Sequence, residues 1–148
     1  VTAISRSDKK KQQVLSYGAK DLLVSSDEAA MQAHANQFDV IINTIPVKHD
    51  FTPYIPLLDI DGTQVLVGQV GELAESNSVP LLMGRRRVAG SLIGGIAQTQ
   101  EILDFCALHN ILPEVEMIKM DQINDAFDKL KQGDMASRFV IDMSSLEV

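Results

Sequence analysis

The sequence predicts an α/β chain built on a parallel sheet with helices on both faces. Strand-like runs alternate with helical patterns over roughly the first ninety residues, the order of a parallel sheet whose crossovers are helices. One run, Phe38-Asp39-Val40-Ile41-Ile42-Asn43-Thr44, is almost continuously apolar, as expected of a strand covered on both faces. After Pro113 the pattern changes to a strand, a helix and a strand that need not join the same sheet.

Val1-Thr2-Ala3-Ile4 reads as the opening strand, and Lys9 to Gly18 as a helix with Ser7 as a fair N-cap and Val14, Leu15 and Tyr17 giving apolar contact. Lys9, Lys10 and Lys11 crowd a helix start that already carries partial positive charge, so a negative partner is expected there. Asp21 to Val24 is a second strand, and Asp27 to Gln37 a helix opened by Ser26 or Asp27. Pro46 ends the strand that begins at Phe38. Asp50 to Leu58, with Pro53 and Pro56, reads as a short helix, and Asp61-Gly62 turns into a buried strand, Thr63 to Val67, closed by Gly68. Gly71 to Ser78 is loop, and Pro80 to Gly84 is a helical turn.

Gly84-Arg85-Arg86-Arg87 then leads into Val88-Ala89-Gly90-Ser91-Leu92-Ile93-Gly94-Gly95, the last strand of an open sheet. Two readings stand here. Arginines can guard an edge strand against further pairing, or Ser91, Leu92 and Ile93 lie at the carboxyl end of the sheet, where open α/β folds take ligands. Ala97 to His109 is a helix, with Cys106 as a small apolar packing residue and His109 at its C-terminal end. His34 and His49 are expected at the surface. Val115 to Ile118 is a half-exposed strand, and Asp121 caps a helix with the stripe Ile123, Ala126, Phe127 and Leu130, stopped by Gly133. Arg138 to Met143 is the final strand.

Composition narrows the class. With 148 residues, 45% hydrophobic and 22% charged, the chain can fill one ordinary domain or a piece of a larger one. No run approaches the roughly 18 apolar residues of a membrane span, no signal-peptide pattern opens the chain, and a cytoplasmic location without a membrane partner is expected. A net charge of −7 argues against a nucleic-acid partner held through phosphates. One cysteine and three scattered histidines offer no zinc-ligand spacing, so no metal site is expected from this chain alone. Val1 opens the chain inside an apolar run, an unusual place for a natural chain to begin.

A dinucleotide fold begins with a strand and a GxGxxG turn, and no such turn is present. What is present is the element that normally follows it, where the ribose is read. An acidic residue there meets a free 2′-hydroxyl. This chain places Ser5, Arg6, Ser7 and Lys10 there instead, two hydroxyls and two cations that suit a phosphate. The plainer alternative is a solvated helix start with incidental lysines.

From Val1 to Met143 the chain resembles the carboxyl-terminal part of zinc-dependent medium-chain alcohol dehydrogenases of the cinnamyl alcohol dehydrogenase type. The blocks that carry the resemblance are Ser5-Arg6-Ser7-Asp8-Lys9-Lys10, Asp39-Val40-Ile41-Ile42-Asn43-Thr44, Asp61-Gly62 with Val65-Leu66-Val67-Gly68, and Gly84-Arg85-Arg86-Arg87 through Gly90-Ser91-Leu92-Ile93-Gly94. Glu101-Ile102-Leu103-Asp104-Phe105-Cys106 and Arg138-Phe139-Val140-Ile141-Asp142 continue it. The resemblance implies a Rossmann-like parallel sheet lacking its first strand (residues 1–97), followed by a linking helix and a small α+β remnant of the catalytic domain (98–148). It implies hydride transfer between NADP and an aldehyde or alcohol, with a zinc ion polarising the oxygen. Ser5, Arg6, Ser7 and Lys10 would hold the 2′-phosphate, although the family usually has an acidic residue or serine where Arg6 stands. Thr44 and Ile45 would lie beside the adenosine and ribose, Gly68 and Val70 near the nicotinamide, and Ser91, Leu92 and Ile93 along the nicotinamide and substrate cleft. The edge strand near Val88 to Ile93 would pair with its counterpart in a homodimer.

The family's zinc ligands and glycine-rich turn lie upstream of the position matched by Val1, so this chain alone is expected to be inactive; a non-catalytic nucleotide-binding or dimerisation module is the alternative. The absent first strand would sit between the strands at Val1 and Asp39. Its loss costs about 1–3 kcal/mol per unsatisfied backbone group. Either those strands close up, another chain fills the slot, or the sequence is part of a longer protein.

Overall fold

The computed structural model describes residues 1–68, 71–132 and 138–146, arranged as two compact units, Val1–Ile93 and Gly94–Val148. In the first unit β1 (Thr2–Ser5), α1 (Lys11–Ser16), β2 (Asp21–Val24), α2 (Glu28–Ala33), β3 (Phe38–Asn43), a 3-10 helix (Thr52–Leu57), β4 (Leu58–Leu66), α3 (Val79–Gly84) and β5 (Arg87–Gly90) alternate as expected. Every strand pair is parallel, with β1 against β2 and β3, β4 and β5 in that order. The fold is therefore the parallel α/β arrangement expected. β1 and β3 do not pair with one another, so the strands flanking the expected position of a first strand have not closed up.

The two small sheets share one core. Leu23 of β2, Met31 of α2, Ile41 of β3 and the adjacent Leu57 and Leu58 form a buried cluster, with Ile4, Ala30, Phe38 and Tyr54 packed against it. Leu57 and Leu58 are at most 1% exposed, so each contributes about 1.5–3 kcal/mol of burial. Leu57 ends a 3-10 helix with Pro53 near its start and Pro56 inside it. Two missing amide donors and fixed φ angles make the short helix expected for this segment a tight 3-10 one.

β3 is covered on one face only, contrary to expectation. Ile41 and Asn43 are buried, whereas Val40 and Ile42 are 56% and 66% exposed. The apolar run reports what the strand can bury, and within the described residues only one layer packs against it. Asp61-Gly62 sits inside β4, where the register jumps from Phe38 opposite Leu58 to Val40 opposite Thr63. Asp61 takes a left-handed φ of 63°, and a Cβ on Gly62 would lie 3.0 Å from the Phe38 carbonyl oxygen, so the turn is an irregularity within the strand.

One cap differs from the sequence reading and one agrees with it. Ser7 does not cap α1: the helix begins after Lys10, with no side-chain cap. Asp27 does cap α2, accepting from the Ala30 N–H at 2.9 Å.

The second unit contains α4 (Ile96–Leu108), β6 (Val115–Lys119), a 3-10 turn (Met120–Gln122), α5 (Ile123–Gln132) and β7 (Arg138–Asp142). β6 and β7 pair in parallel, giving a β-α-β unit with Ile118 and Ala126 buried. Asp121 lies inside the 3-10 turn rather than capping α5. The Gln122 side chain accepts from the Lys119 N–H at 2.8 Å and closes that turn. Of the expected stripe on α5, Ala126 is buried and Ile123 half-buried, while Phe127 and Leu130 are at least half exposed. Gly133, expected to stop the helix, lies outside the described residues.

Candidate functional site

Parallel pairing brings the carboxyl ends of β3, β4 and β5 to one edge. The ladder continues one residue past the strands, with Val67 N–H donating to Asn43 O at 3.0 Å and Ser91 N–H to Leu66 O at 3.1 Å. This aligns Thr44-Ile45, Gly68 and Ser91 along the edge at which open parallel sheets bind ligands. The approach there is close. A Cβ on Gly68 would stand 2.3 Å from the Thr44 carbonyl oxygen and 2.8 Å from that of Ile45, so only glycine fits. Ser91, Leu92 and Ile93 are exposed, the last two at 75% and 88%. Val70 lies outside the described residues.

At the end of β1, Ser5 O accepts from Ser25 N–H at 2.8 Å, and the Ser26 hydroxyl donates to Arg6 O at 3.3 Å. These bonds hold the main chain through Ser5 and Arg6. Ser5 and Ser7 are half-buried and Arg6 and Lys10 exposed, with no ion pair to either cation among the described residues. Lys11 is different, because its Nζ lies 3.2 Å from Asp21 Oδ1. The Asp21 carboxyl is held below its usual range, first by the Leu22 N–H and then by Lys11. Part of the negative partner expected for the lysine cluster is thus a residue of this chain.

The arginine triplet is occupied by the protein itself. Arg85 makes a two-pronged contact with Asp61, at 3.1 and 2.6 Å, and lowers the pKa of that carboxyl. Arg87 donates to the Asp61 carbonyl at 2.8 Å, and Arg86 bonds Leu58 O, Pro80 O and Asn36 Oδ1. Since the triplet precedes the strand, these contacts tie the amino end of β5 to β4. All three arginines are thus engaged by groups of this chain.

Sequence reasoning missed an interior pair. Asn43 is 7% exposed, and its Nδ2 donates to His49 Nε2 at 2.8 Å. His49 and His34 are half-buried rather than at the surface; His34 Nδ1 contacts Ala30 O at 2.8 Å. An asparagine ending a strand six residues before a histidine gives no signal in the sequence. No group of three or more metal-ligating side chains occurs among the described residues, so a zinc site does not fit here. The hydroxyls of Ser5 and Ser7 and the exposed cations Arg6 and Lys10, at and after the end of β1, are groups of the kind a phosphate takes. No described helix is long and apolar enough to cross a membrane.

Parallel strands alternating with helices, with glycine packed at the carboxyl edge of the sheet, define a Rossmann-like α/β protein. The family is settled by comparison: a family profile described as zinc-binding dehydrogenase matches residues 1–107, and the chain belongs to that family. It is 43% identical to a probable cinnamyl alcohol dehydrogenase of Lolium perenne, over 100% of this chain and 41% of the relative. Identity to a probable formaldehyde dehydrogenase of Bacillus subtilis is 45%, over 99% of this chain and 42% of the relative. Among solved structures, a cinnamyl alcohol dehydrogenase of Sorghum bicolor superposes with a TM-score of 0.89 at 35% identity, covering 99% of this chain and 42% of that one. A Helicobacter pylori enzyme of the same type, solved as a complex with NADP(H), gives a TM-score of 0.76 at 35% identity, again over 99% and 42%. The chain thus spans about two fifths of the length of these relatives.

Proposed function

We propose that this chain is the cofactor-binding portion of an NADP-dependent zinc alcohol dehydrogenase acting between aldehydes and alcohols. The observation that carries the reading is the set Ser5, Arg6, Ser7 and Lys10 at and after the end of β1, where two hydroxyls and two cations without ion-pair partners among the described residues suit a 2′-phosphate better than a bare ribose. The H. pylori relative bound to NADP(H) supports the choice of cofactor. Thr44 and Ile45 would lie beside the adenosine and ribose and Gly68 near the nicotinamide, and Ser91, Leu92 and Ile93 would line the cleft. Bound NADP supplies hydride transfer; the residues named here bind and orient it. No step is assigned to zinc, because the described residues do not form a site for it, and the chain by itself is expected not to turn over an alcohol.

Residues 98–148 are assigned to the catalytic domain's remnant, and a homodimer is assigned to the edge of β5, the outer strand of its sheet. The test is titration of the intact protein with NADPH and NADH, before and after Lys10→Ala. Preference for NADPH that falls about tenfold in the variant, with NADH unaffected, is expected from loss of one charge-assisted hydrogen bond. Equal affinities that ignore the substitution refute the phosphate site.

A further inference from the structure

Asn43, at the end of β3, uses both ends of its amide. Its Oδ1 accepts from the Ile45 N–H at 3.1 Å, folding the chain at Thr44-Ile45, while Nδ2 meets His49 Nε2 at 2.8 Å. The other imidazole nitrogen, Nδ1, lies 2.8 Å from the Val47 carbonyl oxygen. These partners leave one consistent assignment of protons. A backbone N–H can only donate, so the atom facing Ile45 is Oδ1 and the one facing His49 is the donor Nδ2. Nε2 must then accept, and Nδ1 must donate to Val47 O. This set of contacts is that of a neutral His49 carrying its proton on Nδ1.

A second proton on His49 breaks this arrangement, because Nε2–H would face the donor Nδ2–H. Rotating the amide would give Oδ1 to the imidazolium, but would turn Nδ2 toward the Ile45 N–H and lose that bond. The Ile45 turn, the Asn43–His49 hydrogen bond and a second proton on His49 thus cannot coexist. The turn matters because the Thr44 and Ile45 carbonyls pack directly on Gly68 at the carboxyl edge of the sheet. The charged groups around His49 among the described residues are Asp50, whose carboxylate accepts from the Thr52 N–H at 2.8 Å, and Lys48, paired with Glu72 at 3.5 Å.

We propose that Asn43 and His49 are a positioning pair that holds the Thr44-Ile45 turn in its nucleotide-receiving form only while His49 is neutral. The link to nucleotide rests on the function proposed above; the coupling of turn to imidazole does not. The test follows the His49 ring nitrogens and the Ile45 and Gly68 amides by NMR across a pH titration of the intact protein, with NADPH affinity measured alongside. The Ile45 amide is expected to shift with the midpoint of His49, and NADPH to bind about 3–10-fold more weakly below it, the worth of one backbone hydrogen bond. Asn43→Asp should reverse the sign, since a carboxylate accepts from Ile45 N–H and from imidazolium Nε2–H together. His49→Gln should flatten the profile, and it decides the matter if Asn43→Asp does not fold. An Ile45 amide indifferent to His49, or the same sign in Asn43→Asp, overturns the proposal. Absence of NADPH binding would refute the proposed function, while the Ile45 amide would still decide the pair.

Discussion

Replacing Gln64 by leucine should stabilise this protein. Gln64 lies in the central strand β4 between Ile41 and Val88, is 0% exposed, and neither its Oε1 nor its Nε2 has a hydrogen-bond partner among the described residues. A buried polar group left unpaired costs about 1–3 kcal/mol, so two amount to about 2–6 kcal/mol. Leucine has similar volume and suits an interior shared with Ile41, and repacking costs up to about 1.5 kcal/mol. A net gain of about 1–4 kcal/mol follows, with Tm rising about 2–4 °C per kcal/mol for a chain of this size. Urea unfolding is the assay: the midpoint should move up with an unchanged slope, while Gln64→Ala, which leaves a cavity, should fall below Gln64→Leu. A loss of 1 kcal/mol or more in Gln64→Leu, on the order of one buried hydrogen bond, would show that the amide is paired in the folded protein, by an internal water or another segment, and the reasoning would fail.

Gly68→Ala should abolish NADPH binding and destabilise the fold by about 1–3 kcal/mol, the usual cost of overpacking, because its methyl would collide with the Thr44 backbone; affinity and thermal melting report both. Asp61→Asn should flatten the acid side of the stability profile. Arg85, the first cause, depresses the Asp61 pKa in the folded state, so the stability it contributes is present above the unfolded pKa and lost as pH falls through the folded one. Melting temperatures of both proteins against pH should therefore converge at the acid end, and a constant gap would refute the linkage. Lys10→Ala and the Asn43 and His49 variants are read by cofactor titration and NMR as described above.

Strand positions were legible because each short apolar run is bounded by glycine, proline or a polar turn, a signal carried by neighbours in sequence. The shared carboxyl edge was legible for a related reason: once the strands are parallel, their carboxyl ends must share one side, and Thr44, Gly68 and Ser91 fall there together. Coverage of β3 was not legible, since an apolar run states what a strand could bury and not what lies against it; Ile42 remains 66% exposed. The stripe on α5 misled for the same reason.

Taken alone, the order of residues determined a parallel α/β chain and a likeness to zinc alcohol dehydrogenases. Tertiary structure alone decided which polar groups meet. Arg86 reaches Asn36 across fifty residues of sequence, Arg85 finds Asp61, and Asn43 locks the ring of a histidine that seemed free to face solvent. Periodicity is a property of adjacent residues, whereas hydrogen bonds and ion pairs depend on distances of about 3 Å that only the folded backbone brings about.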